Sequence, residues 1–220
     1  KSHKVFETRV LDIRVSNGSI LAPMSMSVVV PTYNREVDLK ECLDSLLAQT
    51  KLPAEIVVID DGELCEEYVR DRIRECEGRG LRFVYYRKDH SVERRGLSES
   101  KNRALLLVTE PIVCFFDDDV VLEKDCLEKM SAVWDEISDQ KLIGVGGMIS
   151  NNRKQGSCEK IFGKLFCLDG QSAWDVTDVG FQVWDESIKE RTKGHYTHGG
   201  VTSYRTDFVR RLKFATFDGG

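Results

Sequence analysis

The stretch PIVCFFDDDVVLEKDCLEKM, residues 111–130, decides the fold. Its opening, PIVCFF, is a short unbroken apolar run of the kind shown by a strand buried on both faces. From 123 to 137, EKDCLEKMSAVWDEI places apolar residues at helical spacing. Asp117, Asp118 and Asp119 stand between the two. A buried strand leading into an amphipathic helix is half of a βα unit, and three like charges mark where that strand leaves the core.

The same alternation extends outward in both directions. SVVV (27–30), EIVVID (55–60) and LRFVYY (81–86) read as strands. EVDLKECLDSLLAQ places Leu39, Cys42, Leu43, Leu46 and Leu47 on one helical stripe; a charged helical stretch runs through Arg74, and SESKNRALLLV (98–108) is a further helix. LIGVGGMI (142–149) reads as a fifth strand. The fold class is therefore α/β, a mostly parallel sheet flanked by helices, followed by an irregular region. Residues 1–26 form an N-terminal extension whose alternation, VFETRVLDIRV, predicts a strand or hairpin, and 27–149 are the regular βα half. In 150–220 the regularity stops; short pieces such as VGFQVW lie among Gly, Asn, Lys and isolated aromatics, the composition of specificity loops on a rigid scaffold.

A chain of 220 residues can bury one sizeable core. Its net charge of −5 is spread evenly, with no basic block or aromatic-arginine stripe, which argues against nucleic acid as a partner. No apolar run reaches the roughly 20 residues that span a bilayer, so membrane association would come from parts outside this chain. Seven scattered cysteines, an odd number without a CxxC pair, fit reduced thiols and a cytoplasmic setting, at a membrane's inner face if such parts exist. Cys42 and Cys114 fall in apolar patterns and read as small core residues. NGS (17–19) is either a glycosylation acceptor or a hairpin turn.

Ligands of open α/β sheets bind beyond the carboxyl ends of the strands. The successive strands end in PTYNR, DDG, RKDH and DDD. Clustered carboxylates raise one another's pKa and repel unless a cation compensates. Hard oxygen ligands select Mg²⁺ or Mn²⁺, ions that complete their shells with water and phosphate oxygens. The pattern points to a metal-diphosphate site; the alternative is that DDD caps the next helix. PTYNR likewise reads either as a turn with Asn34 capping a helix, or as backbone, Thr32 and Tyr33 set against a base and ribose.

Taken together, SVVVPTYNR, EIVVIDDG, RGLSESKNRAL, VCFFDDDVVLEKDCLEKM and GGVTSYRTDFVRRL resemble, in order and spacing, the family 2 glycosyltransferases of the GT-A fold, over about residues 26–220. The resemblance makes 27–149 the nucleotide-sugar-binding half and 150–220 the acceptor-side half. It implies that Pro31, Thr32, Tyr33 and Asn34 line the nucleoside pocket and that Asp60 or Asp61 recognises the base. It further implies that Gly96, Lys101 and Asn102 match the glycine loop and its basic helix start, with Lys, a point charge, in place of a forked Arg. Asp117 and Asp118 then face ribose and sugar, and Asp119, with Asp117 as a second candidate, holds the metal, Mn²⁺ or Mg²⁺. The implied activity is inverting transfer from a UDP- or GDP-sugar to a glycan, lipid-linked or protein acceptor, as in polysaccharide biosynthesis. The carboxylate base that such chemistry needs is expected beyond Gly220.

HYTH (195–198) offers His198 as a further metal ligand or a plain polar loop pair, and Trp174 and Trp184 either stack on an acceptor sugar or pack. Two other classes compete. DDDVV fits a haloacid-dehalogenase-like phosphatase, with Asp117 as nucleophile and Asp119 as acid/base, but that signature normally ends the first strand of its core. The other is a GT-A-like domain that binds nucleotide or glycan without turnover.

Overall fold

The computed structural model describes residues 4–7, 24–136, 142–149, 175–176, 182–183, 194, 197 and 199–216. In chain order the elements are β1 (Lys4–Glu7), β2 (Met26–Thr32), α1 (Glu36–Leu47), β3 (Glu55–Asp60), α2 (Glu66–Gly78), β4 (Arg82–Arg87), α3 (Leu97–Ala104), β5 (Ile112–Phe116), β6 (Val120–Leu122), α4 (Cys126–Glu136), β7 (Gly144–Gly146), β8 (Met148–Ile149), β9 (Asp175–Val176), β10 (Gln182–Val183), β11 (Val201–Arg205) and α5 (Thr206–Leu212). The main sheet has the order β4-β3-β2-β5-β11-β7. Strands β2 to β5 are parallel, and β11 runs antiparallel to both its neighbours.

The sheet is covered on both faces, which is why its central strands are apolar throughout. Side-chain alternation sends Val28, Val30, Ile56, Val58, Cys114 and Phe116 to one cluster, where they meet Leu39, Leu43, Leu127 and Trp134 of α1 and α4. It sends Val29, Val57, Ile59, Val113 and Phe115 to the other, under Ala104 of α3 and Val209 of α5. Cys42 and Cys114 are buried free thiols within the first cluster.

The single fifth strand expected over 142–149 is two. β7 joins the main sheet, while β8 pairs with β1 in a second sheet of order β6-β1-β8. Glycine causes the division. A Cβ on Gly144 would stand 2.9 Å from the Tyr204 ring, and one on Gly147 would stand 2.7 Å from a Val201 methyl. The bare backbone therefore passes against β11, donates from Gly147 N–H to Val201 O at 2.9 Å, and turns away. Trp134 locks this corner by donating to Ser203 Oγ at 2.9 Å, and Ser203 donates to Val145 O. The N-terminal extension contributes β1, a strand running parallel to β6. NGS (17–19) and residues 150–174 lie outside the described residues.

Candidate active site

The carboxyl ends of β2, β3 and β5 converge on a cleft of about 320 Å³ lined by Pro31, Thr32, Tyr33, Asp61 and Asp117 to Asp119. Arg35, Leu97 and Ser100 complete its wall. Seven of the residues expected at the site thus share one space.

Asp117 to Asp119 do not cap a helix: they close a turn, Val120 N–H donating to Asp117 O at 3.3 Å, and lead into β6. Helix α4 starts only at Cys126. The turn is held from both sides, by Gly200 O accepting from Asp117 N–H and by α1, whose Cys42 Sγ donates to Asp117 O at 3.7 Å. Asp118 is 5 % exposed. It accepts from Thr32 Oγ1 at 2.7 Å and from Arg35 Nη1 at 2.8 Å. Burial pushes its pKa up, the Thr32 hydrogen bond and Arg35 oppose the rise, and the two flanking aspartates add to it. Asp119 accepts from Arg35 Nη2 at 3.3 Å through Oδ2, whereas its buried Oδ1 has no hydrogen-bond partner among the described residues.

The aspartates after β3 separate in role. Asp60 is fully buried and turned into its own loop, accepting from Gly62 N–H, Leu64 N–H and Tyr85 Oη at 2.8, 2.9 and 2.6 Å. Burial, and then this hydrogen bond to Asp60, push the Tyr85 phenol up to about 12. Asp61 faces the cleft, and Oδ2 accepts from Gly96 N–H at 2.8 Å while the buried Lys88 amine lies 2.7 Å from Oδ1. Gly96 sits at φ +126°, a conformation that favours glycine, and so delivers its N–H to Asp61 as it opens α3.

Asn34 is not a helix cap. At φ +52° it turns its Oδ1 onto Glu63 N–H at 3.1 Å, bracing the β3 loop, and Gly62 must lack a side chain because a Cβ would stand 2.2 Å from that oxygen. Tyr33 projects into solvent, 53 % exposed, with the Arg95 guanidinium 5.5 Å above its ring.

Lys101 and Asn102 lie behind the cleft wall. The Asn102 amide clamps Phe214, donating to its carbonyl at 2.9 Å and accepting its N–H at 2.8 Å. It belongs to a separate depression of about 650 Å³, beside Arg103, Arg210 and Lys213. The Lys101 amine is buried 5.6 Å from the ring centres of Phe115 and Phe214. Burial lowers its pKa, and the Asp117 charge offsets this only in part. A buried ammonium of this kind costs stability, so Lys101→Met is expected to raise unfolding stability by about 1 kcal/mol while weakening nucleotide binding. Because the folded pKa is depressed, the unfolded chain binds more protons just below the ordinary lysine value, and wild-type stability climbs with pH across that alkaline window. Denaturation of both proteins over pH 8–10.5, set against the ordinary lysine pKa, should show the gain shrinking as pH rises; a variant less stable than wild type at all pH values would make Lys101 a structural post.

Arg35, Lys88 and Arg95 carry the cleft's positive charge without having been singled out in sequence. Their only signal there is position: Arg35 closes PTYNR after β2, Lys88 stands in RKDH after β4, and Arg95 directly precedes Gly96. His195, His198, Trp174 and Trp184 lie outside the described residues, and among the described residues no three acidic, imidazole or thiol groups converge to hold a cation by themselves. No helix among them is long and apolar enough to cross a membrane.

With this geometry the comparisons agree. Residues 27–180 match the family described as Glycosyl transferase family 2. Glycosyltransferase GlyA of Streptococcus pneumoniae is 32 % identical over 143 residues, 62 % of this chain and 18 % of that protein. The glucosyl-dolichyl phosphate glucuronosyltransferase of Haloferax volcanii is 34 % identical over 128 residues, 57 % of this chain and 38 % of that protein. This chain therefore spans well under half the length of either relative. Among solved structures, a mannosyltransferase from Pyrobaculum calidifontis, in complex with GDP-Man and Mn²⁺, superposes with a TM-score of 0.55 at 20 % identity, covering 89 % of this chain and 48 % of that one. S. aureus TarS gives 0.52 at 24 % identity, covering 86 % and 49 %. The sheet order, the helices on both faces and these superpositions make the fold GT-A, and the family match spans more than half of the residues: the chain belongs to glycosyl transferase family 2.

Proposed function

We propose that the cleft binds a UDP- or GDP-sugar together with a divalent cation, Mn²⁺ or Mg²⁺, and that the protein of which this chain forms part transfers the sugar with inversion to a glycan, lipid-linked or protein acceptor. The observation that carries this is Asp119 Oδ1, a buried carboxylate oxygen with no partner among the described residues, beside two further carboxylates at the open end of a parallel sheet. A buried anionic oxygen of this kind calls for a cation. Since no three side-chain ligands converge among the described residues, diphosphate oxygens would supply the rest of the shell, as suits a hard ion. The Mn²⁺ and GDP-Man in the Pyrobaculum mannosyltransferase support the same reading.

In this reading Tyr33 offers its exposed ring to the base, Asp61 presents a carboxylate to the base's N–H groups, and Asp118, oriented by Thr32, accepts from ribose or sugar hydroxyls. Asp119, with Asp117 beside it, would hold the ion. A bound cation would act as a Lewis acid, stabilising the departing nucleoside diphosphate. Lys101 lies close enough to Asp117 for the two charges to interact.

Calorimetric titration with UDP, GDP and their common sugar conjugates, in Mn²⁺ and then in EDTA, tests the reading. Binding of one nucleotide that disappears in EDTA supports it and names the base. Equal binding with and without metal removes the cation from the proposal, and no binding of any nucleotide removes the donor site.

A further inference from the structure

The guanidinium of Arg35 occupies an unusual position for a residue of a cation site. It spans the two aspartates, with Nη1 2.8 Å from Asp118 Oδ1 and Nη2 3.3 Å from Asp119 Oδ2, while Nε holds Asp38 Oδ2 at 3.1 Å. The side chain is 43 % exposed and forms part of the cleft wall, so it is anchored on one side and open to solvent on the other. We infer that Arg35 is a built-in counter-cation that makes cation loading depend on the nucleotide, admitting the ion as its diphosphate chelate and resisting it when bare; this rests on the donor-site reading above.

The argument is one of charge. Arg35 and Lys101 formally cancel two of the three charges of Asp117 to Asp119. A bare dication would then leave the cleft net positive and would stand next to a guanidinium on the same Asp119 carboxylate, where the two repel. The two diphosphate charges of a nucleotide-sugar offset the ion's two, so the chelate enters without adding net positive charge to the cleft. It also gives the Arg35 fork phosphate oxygens to bind once Nη2 leaves Asp119, a geometry suited to guanidinium. The Nε contact to Asp38 keeps the side chain in place during that exchange, and Nη1 goes on orienting Asp118. Without Arg35, a bare dication would neutralise the remaining negative charge, and only the diphosphate's own ligation of the ion would couple its entry to the nucleotide.

The test measures free and bound Mn²⁺ by electron paramagnetic resonance on wild type, Arg35→Gln and Arg35→Lys, without nucleotide and then with UDP or GDP. Circular dichroism checks that each variant is folded. Arg35→Gln is expected to bind bare Mn²⁺ about fivefold more tightly than wild type, the scale of a partly exposed ion pair. Arg35→Lys, which keeps the charge, should stay within about twofold of wild type on the same scale. Added nucleotide should tighten Mn²⁺ binding strongly in wild type and much less in Arg35→Gln. Equal bare Mn²⁺ affinity in wild type and Arg35→Gln, with nucleotide-dependent Mn²⁺ retention intact, overturns the role of Arg35 and leaves the donor site standing. Mn²⁺ retained by neither protein, even with nucleotide, overturns both.

Discussion

Asp119→Ala is expected to abolish metal-dependent nucleotide binding, weakening it by about a hundredfold or more, close to 3 kcal/mol, without lowering the melting temperature. The two halves of this result have separate causes. Asp119 Oδ1 has no partner within the described fold, and Oδ2 has only the longer contact to Arg35, so little internal structure depends on the side chain. Its removal also takes one like charge away from Asp118, whose pKa its neighbours help to raise. Stability should therefore hold or rise by about 0.5 kcal/mol, the ordinary range for a surface change. Asp118→Ala is the contrasting case, because it strips Thr32 Oγ1 and Arg35 Nη1 of their acceptor and should lower stability and binding together. Calorimetry in Mn²⁺ and in EDTA, paired with thermal unfolding, separates the two. Nucleotide binding by Asp119→Ala that keeps its full metal dependence would falsify the assignment of this carboxylate.

What could be read from sequence follows how local the cause is. Strands β2, β3 and β5 announce themselves because burial on both faces demands an unbroken apolar run, and the carboxylates after β5 are conspicuous because repulsion makes such a cluster costly. The split of the fifth strand was hidden, since it depends on how closely glycines 144 and 147 approach Tyr204 and Val201, residues far away in the chain. The insertion of β11 between β5 and β7 was hidden for the same reason: an antiparallel pairing across so long a separation leaves no local pattern. Asp60 and Asp61 are identical neighbours, and only the turn of the backbone at the end of β3 sends one inward and the other to the cleft. Lys101 and Asn102 were read together from a helix start, yet the helix puts Asn102 onto Phe214 and Lys101 beneath Asp117. Arg35 carried no signal beyond its place in PTYNR, because its importance lies in reaching two residues of another strand end.

Asp60→Ala, in contrast to Asp119→Ala, is expected to be the most destabilising single change at this edge, costing about 3–5 kcal/mol. Asp60 is fully buried, and its two oxygens organise the whole loop after β3 by accepting from Gly62 N–H, Leu64 N–H and Tyr85 Oη, with Arg87 Nε 3.5 Å away. Alanine leaves two buried N–H donors and the part-buried Tyr85 hydroxyl without their acceptor, and each buried donor so stranded costs about 1–3 kcal/mol. For a chain of this size the loss corresponds to a fall in melting temperature of roughly 10 °C or more. Asp60→Asn keeps one acceptor oxygen and should recover part of the loss, whereas a change at the exposed Tyr33 should cost almost nothing. Donor binding should respond in the opposite order: at a temperature where Asp60→Ala remains folded, its nucleotide affinity should stay within about threefold of wild type, less than 1 kcal/mol, because the side chain faces its own loop and Asp61 faces the cleft. Thermal unfolding and calorimetry on the same preparations decide between the two aspartates. A variant that melts like wild type but has lost its nucleotide would mean that Asp60 reaches the ligand and that the loop after β3 is held by the contacts around Asp61 and Asn34 alone.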